Sequence, residues 1–145
     1  MDKLIELGRI AFATHYHYLL KAQNFHWNVT GIDFLQYHEL FGDIYEELED
    51  KVDEFAEHIR GIHGDVPASF TYLAKYSTIK DPAEGLNKLD MVYELYKDNA
   101  KIVKALMDAY SVSELENEYG FSSFLADRIS EHRKHGWQLY SSMPV

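Results

Sequence analysis

Four side chains in one stretch of this sequence have the types and spacing to hold a metal ion: His26, His38, Asp53 and Glu57. Asp53 and Glu57 are one helical turn apart, so their carboxylates share a stripe of one helix. Val52, Phe55 and Ala56 flank them with apolar bulk, and no Lys or Arg lies four residues from either acid. Like charges so placed repel, and a bound cation turns that repulsion into attraction. His26 closes one helical pattern and His38 opens the next, so a tight turn between antiparallel helices brings the two imidazoles together. On a continuous helix His38 and Asp53 are separated by ~60° around the axis and ~22 Å along it. One chain therefore cannot close all four around one ion. Two copies packed antiparallel about a two-fold axis can, with the histidines of one facing the acids of the other. Imidazole with carboxylate suits Fe(II), and Zn(II) less selectively. Two readings stand side by side here: a shared metal site, or capping histidines beside a solvated acidic pair.

The rest of the chain must position these groups. It has 145 residues, 46% of them hydrophobic and 26% charged, enough for one domain spanning 1–145 with a real core. The sequence has no cysteine, so thiolate metal sites, disulfides and Cys nucleophiles are excluded. The net charge of −10 repels phosphate and attracts cations. No apolar run approaches the ~18 residues of a membrane span. The first ten residues lack a signal-peptide layout, so the expected location is cytoplasmic.

Apolar periodicity predicts helices over residues 3–28 and 34–61. Gly31 is the expected stop of the first, and Asp33 with Gln36 the expected capping box of the second. Residues 62–80 form a long connection, with a short helix capped by Ser69 and presenting Phe70, Leu73 and Ala74. Pro67, Pro82 and Pro144 all fall where helices start, stop or are absent. A third long helix is expected from Asp81, with Pro82 at its first position and Glu84 completing a capping box, to about Ala109. The acidic SVSELENEYG segment reads as a turn, and a fourth helix runs from about Phe121 to Ser141. The result is all-α: a four-helix bundle running up, down, down, up, with a short helix in the crossover between helices two and three.

The runs FHWNVTG, YHELF and DEFAEHI resemble the Dps mini-ferritins, and PASFTYLAKYSTIKD is similar to that family's crossover. The Trp137 region is similar to its last helix. The resemblance covers nearly the whole chain. It implies a ferritin-like bundle and a homo-oligomeric shell of twelve subunits. It implies a ferroxidase site of His26, His38, Asp53 and Glu57 across the two-fold interface, where Fe(II) is oxidised, typically by hydrogen peroxide, and stored as ferric mineral. Trp27 then lies next to the site, as a sacrificial electron donor or as packing. The sequence departs from the family's pattern at two places. Gly42 stands where many members have a ligating Asp one turn after the second His. Asp43 is rotated ~100° away, and Glu46 is two turns from His38, so the second iron position is expected to be weak. The N-terminus carries only Lys3 and Arg9 where DNA-binding members carry a basic tail, so DNA binding through it is not expected. The alternative is a non-enzymatic structural or DNA-protecting shell with a degenerate iron site.

Other candidates carry less. His15 and His17 are two apart, one expected toward core and one toward solvent. His132 and His135, at i, i+3 spacing, read as part of a solvated basic face, with a surface metal site as the alternative. Asp108, Glu114, Glu116 and Glu118 line an iron-entry pore or form an ordinary acidic loop.

Overall fold

The computed structural model describes residues 1–66 and 68–144, so the expectation at Pro67 lies outside the described residues. It contains helices α1 (Asp2–Asn28), α2 (Phe34–Glu49), α3 (Val52–Gly61), α4 (Phe70–Tyr76), α5 (Lys88–Leu115) and α6 (Tyr119–Ser141). α1 packs against α2 and α5, and α5 against α6. The apolar stripes read from the sequence meet in the middle. Tyr18, Ala22 and Phe25 of α1 face Phe41, Ile44 and Leu48 of α2, and Leu95, Ile102 and Leu106 of α5 close the other side, all of them buried. The crossover between α3 and α5 carries α4, which lies on α1. This is the all-helical, ferritin-like arrangement expected.

The expected helix over residues 34–61 is bent rather than continuous. α2 ends at Glu49 and α3 resumes at Val52. At the break the Lys51 N–H reaches back only three residues, to the Leu48 carbonyl at 3.1 Å. That carbonyl also accepts from His15 Nε2 at 2.8 Å. A side chain inserted into the ladder is a standard cause of a helix bend. Here the side chain comes from α1, so the bend is set by the bundle and not by the residues at the break.

Three helix boundaries differ from expectation. Asp33 occupies the cap position of α2 but has φ 64° and makes no side-chain cap bond, so the box with Gln36 does not form. α5 begins at Lys88, not Asp81; its cap is Asn87, which exchanges bonds with Asp90 in a full capping box. Residues 81–87 instead make a loop through Gly85 at φ 73°. At its other end α5 continues to Leu115, because Ser113 is buried and its hydroxyl is held by the Tyr110 carbonyl and Ser122 Oγ, both at 2.7 Å. In α4 the Ser69 cap forms as expected, accepting from the Tyr72 N–H at 3.1 Å. Yet Phe70 is 90% exposed, and the buried residue is Tyr72.

Candidate metal centre

The turn between α1 and α2 brings His26 and His38 into contact. Their rings stack with centroids 3.8 Å apart and planes 12° from parallel. Each Nδ1 lies 2.6 Å from the other residue's backbone carbonyl oxygen. A carbonyl only accepts, so each ring donates from Nδ1 and its Nε2 takes no part in the contact. The bond from His38 Nδ1 also satisfies the His26 carbonyl in the last turn of α1, which would otherwise lack an intrahelical partner. The pair is therefore both a cap and a fixed set of donor atoms. A hydrogen bond to the far nitrogen is the usual way a metal-binding imidazole is held in tautomer and orientation. Phe34 stacks on His38 at 5.1 Å and Tyr45 leans on His26 at 5.2 Å, and both imidazoles are half-buried.

Gly42 matters for packing as well as for chemistry. A Cβ built there would lie 2.8 Å from both Cε1 and Nδ1 of His26. Any side chain at 42 therefore competes with the ring that bonds to the His38 carbonyl. Gly42→Ala is expected to cost about 1–3 kcal/mol through overpacking and to release the His26 imidazole from that carbonyl. Denaturant unfolding and the imidazole nitrogen shifts measure the two effects separately.

Asp53 and Glu57 sit on α3, exposed, while Phe55 and Ile59 between and beside them are buried. Neither acid makes an ion pair among the described residues. Asp43 and Glu46 are also exposed. Trp27 is 63% exposed, so it does not pack into its own bundle. Among the described residues, one group of three His, Asp or Glu side chains gathers its donor atoms within 4.8 Å, and it is Glu47, Glu131 and His135. The structure thus brings His26 to His38 but does not join that pair to Asp53 and Glu57 within one chain.

The Glu47 group belongs to a buried polar network that the sequence reading missed. Arg128, 1% exposed, places both terminal nitrogens on the two Glu47 oxygens, and His135 Nε2 donates to Glu47 Oε1 at 2.9 Å. Burial pushes the Glu47 carboxyl up. Donors from His135 and Arg128, and the guanidinium charge, outweigh it and hold the group at about 2. The cation in this network is the protein's own guanidinium. His132 donates from Nδ1 to Asn99 Oδ1 at 2.8 Å, and Asn99 Nδ2 returns a bond to the His132 carbonyl at 2.8 Å. His132 and His135 are both buried, not part of a solvated face. The available signal was the stripe Arg128, His132, His135 at helical spacing, which is an inward face. Of His15 and His17 one was expected toward solvent, but His15 is buried and His17 is mostly buried too, bonded to Ser77 Oγ and Asp81 Oδ1 at 2.7 Å each.

Two of these imidazoles make the fold acid-sensitive. Burial, then the nearby Arg128 charge, lowers His15 to about 3 and holds His132 well below its ordinary value. Below the unfolded value of about 6.5 the unfolded chain takes up protons that the folded one refuses, so stability falls as pH drops from there toward 3. Between pH 7 and pH 5 His15 alone accounts for about 2 kcal/mol. Denaturant midpoints measured at both pH values should show the loss, and His15→Gln should lessen it.

Comparison with known proteins agrees with this architecture. The family model for the ferritin-like domain matches residues 10–142. The chain is 31% identical over 119 residues to DNA protection during starvation protein 2 of Bacillus anthracis, covering 82% of each chain. It is 30% identical over 140 residues to an uncharacterized low temperature-induced protein of Nostoc sp., covering 95% of this chain and 78% of that one. It superposes on the crystal structure of Dps from Staphylococcus aureus with TM-score 0.94 at 26% identity, covering 100% of this chain and 97% of that one. For Dps from Bacillus brevis the TM-score is 0.90 at 27% identity, with 95% and 93% covered.

Proposed function

Because the chain belongs to the ferritin-like family and, within it, to the Dps mini-ferritins, we propose that it oxidises Fe(II) and stores the ferric product inside a homo-oligomeric shell of about twelve chains. Each oxidation site takes His26 and His38 from one protomer and Asp53 and Glu57 from a second. The observation that carries this reading is the reciprocal pair of Nδ1–H bonds, which fixes two stacked imidazoles and leaves the Nε2 of each to another partner. Iron is the substrate here. Imidazole and carboxylate accept Fe(II), and the two carboxylates favour the harder Fe(III), which lowers the cost of giving up an electron. Hydrogen peroxide is the proposed oxidant. It takes one electron from each of two Fe(II) ions and two protons, leaving two Fe(III) and two water molecules. The exposed Asp53 and Glu57 pair with no cation among the described residues, which suits a role toward a neighbour.

Gly42 favours a second reading, a shell whose iron site is inactive. Anaerobic Fe(II) followed by peroxide separates the two. Fast ferric absorbance well above the buffer rate supports oxidation, and a rate equal to buffer supports the inactive shell. DNA protection, named for the Bacillus anthracis relative, is a third possibility that a gel shift tests. Lys3 and Arg9 lie within α1 rather than on a tail, and the net charge is −10, so no retardation is expected at moderate salt.

A further inference from the structure

The two halves of the iron site proposed above lie on opposite sides of one bend. His38 is on α2, and Asp53 and Glu57 are on α3. At the break Lys51 has φ −105° and ψ −1°, away from regular helix. His15, from α1 and fully buried, touches both arms. Its Nε2 donates to the Leu48 carbonyl in the last turn of α2 at 2.8 Å. In a continuous helix that carbonyl accepts from the N–H of Val52; here it accepts from Lys51 and His15. The other side of the ring's reach is α3. The imidazole stands edge-on to Phe55, with centroids 5.5 Å apart and planes at 75°. Phe55 is itself fully buried and falls between the two acids in sequence, so where it seats decides how their stripe is aimed.

We propose that His15 is a positioning residue for the shared iron site: bonded to the end of α2 and packed on Phe55 of α3, it sets the angle between the helix that carries His38 and the helix that carries Asp53 and Glu57. The inference rests on the shared site and deepens it. Each chain gives its histidines to one site and its acids to the other. The span between the two sets within one chain therefore decides whether both sites of a two-fold pair close. A change of about 10° at Asp50 moves Asp53 by roughly 1 Å and Glu57 by roughly 2 Å along helices that rise about 1.5 Å per residue. Metal–ligand bonds tolerate only about 0.2 Å. His15 touches no iron; it acts through the two helices it joins.

The test is calorimetric titration of the assembled protein with Zn(II), which has no redox chemistry and so reads geometry alone. The sites counted are those that Asp53→Ala removes. His15→Leu is expected to weaken Zn(II) binding there by about tenfold or more, the scale seen when a partner of a metal ligand is altered. It raises the half-saturating Fe(II) in the peroxide assay by a like factor. His15→Gln carries an N–H at the place of Nε2, so it restores most of both. Leu106→Ala truncates the core on α5, away from the bend; it lowers the unfolding midpoint and leaves both readings unchanged. Wild-type affinity in His15→Leu, or an equal loss in Leu106→Ala, overturns the assignment. Should His15→Leu not fold, His15→Asn replaces it with the same expected losses, because its N–H stops short of the Leu48 carbonyl. A wild type with no Zn(II) site that Asp53→Ala removes sinks the shared site itself, and the role of His15 with it.

Discussion

His38→Ala abolishes the rapid ferric absorbance that follows anaerobic Fe(II) and peroxide, and Asp53→Ala does the same. The expected loss is at least 100-fold for each, beyond what altering an outer-shell partner of a metal ligand typically costs. The stronger result comes from mixing the two variants. In a mixed pair one site lacks both its histidine and its aspartate, and the other has all four ligands intact. Random exchange makes half the pairs mixed, so about a quarter of the wild-type sites return. A site within one chain would return none, because every chain carries a lesion. Stopped-flow absorbance on co-refolded protein reads the difference, and silence in the mixture would remove the shared site while leaving the fold untouched.

The second large effect is on stability. Glu47→Leu leaves the Arg128 guanidinium buried with neither of its carboxylate bonds and strips His135 of its acceptor. Removing one partner of a buried ion pair costs about 3–5 kcal/mol, whereas replacing both with apolar groups is often neutral. Glu47→Leu should therefore unfold at much lower denaturant than wild type, and Glu47→Leu with Arg128→Met should recover most of the loss. Equal instability of the single and double variants would mean that shape, not charge, governs this part of the core.

The helices themselves were legible: apolar residues at 3.6-residue spacing place α1 and α6 close to their observed spans, merge α2 with α3 into one helix, and find α5 with its start and end each shifted by about two turns. Where a boundary failed, two local signals competed. Asp81-Pro82 and Asn87-Asp90 both spell a helix start. The second wins because Met91, Val92 and Leu95 follow it directly into the core. The bend at Asp50 was not legible, because its cause sits on another helix, at His15. The His26–His38 contact was readable, since twelve residues with a turn between them fix it locally. The Arg128, His132 and His135 stripe was misjudged because basic residue types suggested solvent where their spacing matched an inward face. Convergence of the histidines with Asp53 and Glu57 depends on a second chain, and a single sequence carries only each half.

The reciprocal bonds between His26 and His38 have one more consequence. They use only the inner nitrogens, so an ion arriving at Nε2 leaves both bonds to the carbonyls in place. The hairpin then keeps one shape whether its outer nitrogens hold iron or nothing, and when one ion departs the cradle is already formed for the next.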